Sequence, residues 1–149
     1  MTQVDFYILN EAGELPHLKT SCRVIEKAWG KRHSVYVHTA DQAMMQQMDD
    51  LLWTFRPNSF VPHRSENTAD SETNAEPDSA FPDIVIACSG NPGEHHDVLI
   101  NLTDDTPEFF GRFKRIAEIV PGDEAAKAKS RERYKYYRKR GYPLNVHQL

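Results

Sequence analysis

The sequence predicts an α/β domain in which a mainly parallel sheet is covered by helices on both faces. Short apolar runs, typical of strands buried on both sides, recur along the chain. Between them lie segments in which apolar residues return every three or four positions, as in an amphipathic helix. Strands that alternate with helices in this way favour a parallel sheet, because each connecting helix packs back onto the sheet.

The first strand and the first helix are the clearest of the predicted elements. Residues 4–9 form an apolar and aromatic run, which indicates a buried strand. Gly30 stands where the following helix is expected to stop. The apolar residues of that helix are spaced by three, four, three and four positions, namely Leu15, Leu18, Cys22, Ile25 and Trp29.

A second strand and a second helix follow in the same order. Residues 34–38 alternate like a strand, and Asp41 can cap the helix that comes next. Pro57 ends this helix, since proline cannot continue a helical hydrogen-bond ladder. Its apolar positions again have helical spacing: Met44, Met48, Leu51 and Phe55.

The middle of the chain predicts two more strands and a loop. Residues 65–80 hold five acids, no base and no large aliphatic side chain, so they predict a mobile acidic loop. Residues 84–87 and 98–102 are apolar enough for buried strands. The turn-forming sequence Ser-Gly-Asn-Pro-Gly lies between these strands at residues 89–93.

The last third predicts a short helix, a last strand and a long final helix. Pro107 opens the short helix, which carries three phenylalanines, and residues 116–120 form the strand. Asp123 caps the final helix, which runs to about Arg140 and ends at Gly141. No repeat or linker divides the chain, so we expect a single domain over residues 1–149.

Composition excludes several classes of protein. The chain is 39% hydrophobic and 27% charged, and no apolar run reaches the roughly 18–20 residues of a membrane span. The first five residues lack the basic start and apolar core of a secretory signal. Cys22 and Cys88 show no paired or metal-binding spacing, which indicates free thiols and a cytoplasmic location.

The sequence also argues against a cofactor site and against catalysis. Neither a GxGxxG fingerprint nor a GxxxxGK[ST] loop occurs, so we expect no nucleotide site. His95 and His96 precede a strand and would point to opposite faces, which indicates a solvated turn rather than a metal site. Cys22 lies on an apolar helical stripe and is expected in the core. A hydrolase or nucleotide enzyme that uses Asp5, His95 and Asp97 is the weaker alternative.

Charge is distributed very unevenly along the chain. The net charge is −4, but residues 127–140 hold eight bases and one acid, a local balance of +7. The other 135 residues carry −11. Such a helix presents either a solvated charged face or a site for an acidic peptide or nucleic acid. Five residues of the helix lie close together at 100° per residue: Lys127, Arg131, Tyr134, Arg138 and, beside them, Lys135.

A second candidate surface follows the second helix. Residues 52–63 place four large apolar side chains around two prolines. Either this segment folds back onto its own core, or it exposes an apolar patch for a partner protein. The four side chains are Trp53, Phe55, Phe60 and Val61.

Several motifs in one order resemble a known family. They are Asp-Phe-Tyr-Ile-Leu at residues 5–9, Leu-Trp at 52–53 with Ser-Phe-Val-Pro-His at 59–63, Asp-Val-Leu-Ile-Asn-Leu at 97–102, and Arg-Glu-Arg-Tyr-Lys-Tyr-Tyr-Arg at 131–138 followed by Gly-Tyr at 141–142. From residue 4 to about residue 144 the chain resembles the chi subunit of bacterial DNA polymerase III. It departs from that pattern in its longer and more acidic segment at 65–80.

The resemblance implies a non-enzymatic accessory subunit of the clamp-loader assembly in DNA replication. It implies a Rossmann-like α/β fold without a nucleotide site, and no cofactor. Trp53 and Phe60 match the positions that hold the psi subunit in the family. Another set matches the surface for the acidic C-terminal tail of single-stranded DNA-binding protein: Val120, Lys127, Arg131, Tyr134 and Lys135.

Two questions about partners stay open at this point. The basic final helix could instead contact single-stranded nucleic acid directly, although the −11 body should repel a long strand. The sequence also leaves open whether the chain works with psi, with another partner such as a helicase, or alone.

Overall fold

A computed structural model describes residues 2–54, 64–65, 84–88 and 97–148. Within these ranges the chain forms one open sheet of seven strands, ordered β3-β4-β2-β5-β6-β1-β7, and all six pairings between neighbours are parallel. The strands are β1 (Gln3–Ile8), β2 (Val35–His38), β3 (Arg64–Ser65), β4 (Ile84–Ala87), β5 (Val98–Asn101), β6 (Arg115–Val120) and β7 (Leu144–Gln148).

Within the same ranges, three α-helices cover the sheet. They are α1 (Glu14–Gly30), α2 (Gln42–Thr54) and α3 (Glu124–Lys139). The predicted α/β class, with a parallel sheet and helices on both faces, is confirmed, and the layout is Rossmann-like. None of the described helices combines the length and the apolar character that a bilayer crossing requires.

The two faces of the sheet carry separate cores. Residues of α1 and α2, among them Ile25 and Met48, pack on one face. Cys22 lies in this core with no exposed surface, as predicted, and burial raises the pKa of its thiol to about 12. On the other face, Tyr137 of α3 packs against Phe6 of β1, with ring centroids 6.1 Å apart. The α3 face is thus the more aromatic of the two.

Some predicted element boundaries were wrong. Pro107 does not open an α-helix, since a 3-10 turn at Phe110–Arg112 takes its place. The predicted stop of the first helix at Gly30 is confirmed, since α1 ends there, and the positive φ of 63° falls on Arg32. Of the predicted loop at 65–80, residue 65 belongs to the short strand β3, and residues 66–80 lie outside the described residues.

Strand β7 is the main element that the sequence analysis missed, because β6 was expected to be the last strand. β7 pairs in parallel with β1, from Val4 opposite Leu144 to Ile8 opposite Gln148. Side chains reinforce the pairing, since the Asn145 amide donates to Asp5 Oδ1 at 3.1 Å. β7 thereby becomes the outer strand of the described sheet beside β1.

Candidate protein-binding site

Helix α3 is held at both ends by the local sequence. The Asp123 side chain caps its start, because Oδ2 accepts the Ala126 N–H at 3.1 Å. Gly141, with a φ of 83°, lets the chain turn after the helix. Before the helix, the Gly122 N–H donates to the Glu11 carbonyl at 3.0 Å. A Cβ on Gly122 would lie 2.7 Å from the Glu11 backbone, so glycine permits α3 to begin close to the end of β1.

One side of α3 faces the sheet and is buried. Its residues recur every three or four positions, the spacing of a single helix face. Two of them are polar, and Arg133 keeps only 6% of its surface exposed. The buried side consists of Ala126, Ser130, Arg133 and Tyr137.

Arg133 and Tyr137 reach a carboxylate inside the protein. Glu118 of β6 has no exposed surface and accepts three hydrogen bonds. The Tyr137 hydroxyl donates to Glu118 Oε2 at 2.8 Å, and Arg133 Nε donates to Oε1 at 3.2 Å. The Asn101 amide donates to the same Oε1 at 2.8 Å. Both oxygens of the buried carboxylate therefore accept hydrogen bonds. Because two of the three donors are side chains of α3, this network fixes the rotation of α3 on the sheet.

The pKa values of Glu118 and Tyr137 are both raised within this network. Burial raises the pKa of Glu118, an effect that the Arg133 charge and the three donors offset only in part. Burial and then the neighbouring Glu118 charge raise the pKa of the Tyr137 hydroxyl, so Tyr137 stays a neutral donor. Arg133 is consequently not part of an outward cationic surface.

One flank of α3, called here the closed flank, is occupied by contacts with the protein's own body. It comprises Lys129, Arg133 and Tyr136, which face the segment between β5 and β6. Lys129 Nζ lies 3.0 Å from Asp104 Oδ2, and Arg133 Nη1 donates to the Asp104 carbonyl at 2.6 Å. The Tyr136 ring lies 6.0 Å from that of Phe110. On the closed flank, Arg133 is therefore buried, and the ammonium group of the exposed Lys129 is paired with Asp104.

The opposite flank, called here the open flank, comprises Lys127, Arg131, Tyr134 and Arg138. No ion pair joins any of its three bases to an acid in the part of the chain that the structure describes. The Tyr134 ring is half-buried and lies 5.6 Å from the Phe6 ring of β1. Because the closed flank faces β5, the open flank points toward β1 and the outer strand β7.

The structure brings most of the residues predicted for the acidic tail to this region. Lys127, Arg131 and Tyr134 share the open flank. Lys135 lies farther round the helix, 74% exposed, with Nζ 3.9 Å from Glu132. Val120 ends β6 and has no exposed surface, so its side chain lies in the core beneath the helix rather than on the surface that carries Lys127 and Arg131.

The residues predicted to hold psi lie elsewhere. Trp53 belongs to α2, whose core contacts are on the other face of the sheet from α3. Phe60 lies outside the described residues. The two predicted partner surfaces therefore start from opposite faces of the sheet.

Two residues of the weaker enzyme hypothesis have structural roles. Asp5 is 4% exposed and pairs with Arg115 Nε at 3.2 Å. Asp97 accepts the Ser34 N–H at 2.8 Å and the Ser34 hydroxyl at 3.0 Å. His95, the third residue, lies outside the described ranges. Among the side chains that can be placed, no three His, Cys, Asp or Glu residues cluster as metal ligands.

Two structural features near α3 escaped the sequence analysis. The Glu118–Arg133 network was signalled only by a single acid inside the apolar run of β6. The other is β7, whose Val146 side chain is 46% exposed. Its alternation of Leu, Asn, Val, His and Gln fits an edge strand with one apolar side, but five residues are too few to separate that pattern from a polar tail.

Comparison with known proteins gives the family. The family profile described as "DNA polymerase III chi subunit, HolC" matches residues 1–145. This chain belongs to the DNA polymerase III chi subunit family. A chi subunit from Pseudomonas aeruginosa is 39% identical over 149 residues, which cover 100% of this chain and 98% of that protein. One from Haemophilus influenzae is 32% identical over 143 residues, covering 95% and 93%. The chain is therefore similar to chi subunits over nearly its whole length.

A solved structure supports the fold alone. T4 UvsW matches 99% of this chain with a TM-score of 0.69 at 9% sequence identity. This chain spans 41% of the UvsW chain. The chi family places the protein in DNA replication as a subunit of DNA polymerase III, in agreement with the predicted accessory role.

Proposed function

We propose that this chi-family chain links the replicase to single-stranded DNA-binding protein by holding that protein's acidic C-terminal tail, without catalytic activity of its own. The observation that carries the proposal is the open flank, where Lys127, Arg131 and Arg138 find no acid among the described residues. Like charges this close repel one another by a few tenths of a kcal/mol per pair, so an anionic partner relieves a standing cost.

The open flank combines charge with an apolar surface. Its bases would form charge-assisted hydrogen bonds with the acids and terminal carboxylate of the tail, each worth about 1.5–3 kcal/mol when partly desolvated. Tyr134, whose half-buried ring packs on Phe6, offers a surface on which an apolar terminal side chain can pack. A few such contacts correspond to micromolar affinity, about −8 kcal/mol. Weak binding suits a contact that is made and released as a replication fork moves.

A peptide titration tests this site. The peptide carries acids, an apolar aromatic residue and a free carboxylate at its end, and calorimetry measures its affinity. Arg131→Ala should weaken binding about tenfold or more, because it removes one charge-assisted contact. Lys129→Ala is the matched control, since it removes the same charge from the closed flank, and it should change affinity less than about twofold. Equal losses in both variants would contradict the site.

Direct contact with single-stranded DNA is the alternative that an aromatic residue in a basic flank favours. A DNA site should show affinity for naked oligonucleotides that falls steeply and linearly on a log–log salt plot. The proposal expects the acidic peptide to bind and the oligonucleotide to bind far more weakly, because the body of the chain carries −11 outside residues 127–140. Fluorescence anisotropy with both probes on the same protein separates the two functions.

The second link runs through psi, at the surface that begins with Trp53. Its support is the family match of the motif and the placement of α2 on the other sheet face from α3. A chain with Trp53→Ala should lose co-purification with psi and keep full affinity for the acidic peptide. Arg131→Ala should do the reverse. Loss of both activities in one variant would contradict two separate surfaces.

A further inference from the structure

The outer edge of β7 presents backbone groups that no described residue uses. The Val4 N–H donates to the Pro143 carbonyl at 2.9 Å, and Val4 pairs with Leu144. In a parallel ladder the bonding direction alternates along the strand, so residues 143, 145 and 147 face β1. The N–H and C=O groups of Leu144, Val146 and Gln148 therefore point away from the sheet. They form a template onto which another extended segment can pair.

The same three residues turn their side chains toward the α3 face. Val146 is the register partner of Phe6, and Phe6 packs under α3. Leu144 also packs against that core. His147, one position along, lies on the other face, where its ring stacks on Tyr7 at 4.7 Å. Val146 is 46% exposed. It is one of three large apolar side chains that are exposed among the described residues. An added strand would thus find an apolar neighbour on the α3 side.

Charge selects which kind of strand fits this edge. β7 contains no acid, lysine or arginine, so it lacks the charged side chains that commonly protect an edge from pairing. The open flank of α3 faces the same side of the sheet, and Arg131 and Arg138 are its bases with the longest side chains. An extended acidic segment that pairs with β7 places every second side chain on the α3 face.

We propose that the edge of β7 is the backbone-binding half of the acidic-peptide site, and that the peptide binds by strand addition. Alternate side chains of the peptide turn toward the open flank and contact its bases, and its backbone pairs with Leu144, Val146 and Gln148. This inference rests on the proposed function, because it takes the same acidic peptide as its ligand. It adds the mode of recognition, with a backbone half and a side-chain half of one site.

Strand addition predicts a period of two along the peptide. A series of acidic peptides, each N-methylated at one successive backbone position, is titrated against the unmodified protein. Methylation blocks an N–H without changing side-chain charge. Positions whose N–H donates to β7 should lose about tenfold in affinity, and the positions between them should change little. Uniform losses, or none at any position, would overturn strand addition.

A variant of the protein gives the reciprocal test. Val146→Pro removes one outward N–H and leaves the bonds to β1 in place, and proline is tolerated on an edge strand where its nitrogen faces solvent. Val146→Ala is the matched control, because it shortens the side chain and keeps the N–H. The proline variant should bind the peptide about tenfold more weakly than the alanine variant, with circular dichroism confirming that both fold. Equal affinities would overturn the inference.

The outcomes separate this inference from the proposed function. If Arg131→Ala weakens binding while the methylated peptides and Val146→Pro show no periodic effect, the acidic-peptide function stands and strand addition is wrong. If the unmodified peptide fails to bind, or Arg131→Ala has no effect, the proposed function itself fails. A concentration-dependent dimer that Val146→Pro abolishes would assign the edge to a second copy of the chain and overturn the inference. Because the methylation series uses the unmodified protein, it decides the question even if the proline variant does not fold.

Discussion

The two flanks of α3 have similar amino-acid compositions, but their basic side chains differ in burial and in ion pairing. On the closed flank, Arg133 is 6% exposed and bonds to Glu118, and Lys129 pairs with Asp104. On the open flank, Lys127, Arg131 and Arg138 meet no acid among the described residues. The difference shows that the charge of a helix does not by itself define a binding surface. What decides is how the helix is rotated on the sheet, because rotation determines which bases the body of the protein neutralises.

The largest expected effect is on stability, at the closed flank. Arg133→Ala leaves Glu118 buried with an uncompensated charge, and breaking a buried pair costs about 3–5 kcal/mol. Arg131→Ala removes the same charge from the open flank and should change the free energy of unfolding by less than about 0.5 kcal/mol. Urea unfolding of both variants measures the difference. Similar losses in the two variants would erase the distinction between the flanks.

A double substitution sharpens the same result. Glu118→Leu with Arg133→Met replaces both partners by apolar residues of comparable size, which is often neutral or stabilising for a buried pair. The double variant should be much more stable than Arg133→Ala alone. If it is no more stable, the neighbouring donors Tyr137 and Asn101, which would lose their acceptor, control the energetics of the network.

The sequence predicted the ends of α3 and grouped Lys127, Arg131, Tyr134 and Arg138 on one side of it, but it did not identify the side that is buried. Asp123 and Gly141 mark its ends through local chemistry, which sequence patterns contain directly. The pairing of Arg133 with Glu118 joins residues on different elements, and no local pattern contains it. The helical repeat of Ala126, Ser130, Arg133 and Tyr137 could have revealed the buried side. That repeat includes Arg133, and an arginine is ordinarily expected on an exposed side of a helix, so the buried side was not recognised.

The edge strand was missed for a related reason. β7 owes its structure to pairing with β1, including the bond from Asn145 to Asp5, rather than to its own propensity. A five-residue polar segment after a helix predicts nothing by itself. The resemblance to the chi family, in contrast, selected Lys127, Arg131 and Tyr134 together, and the structure places all three on the open flank. Trp53 and Phe60 remain predictions.

An effect of intermediate size is expected from salt, which should weaken peptide binding at the open flank but not the buried ion pair of the closed flank. Affinity for the acidic peptide should fall by about tenfold between 0.05 M and 1 M salt, because the Debye length shrinks to about 3 Å and screens exposed charges. The buried pair of Glu118 and Arg133 is shielded from ions, so the difference in unfolding free energy between the unsubstituted chain and Arg133→Ala should stay nearly constant. Calorimetry and urea unfolding at the two salt concentrations measure these quantities. A salt-independent affinity would indicate that apolar contacts, rather than the open flank, hold the peptide.

The smallest expected effect is on the stability of the protein at low pH, and it arises at Asp97, away from both flanks. Burial alone would raise the pKa of Asp97, but the Ser34 N–H and hydroxyl and the nearby Lys114 lower it below its usual value. A lowered pKa means that Asp97 adds stability above its unfolded value of about 3.9, and that this stability is lost as the pH falls through the folded value. Asp97→Asn should therefore flatten the loss of stability below about pH 4. Peptide binding at neutral pH should not change, because Asp97 immediately precedes β5, at the opposite end of the strands from Val120. Weaker binding in this variant would show that the edge at Asp97 and the open flank are coupled, and would extend the functional surface beyond α3.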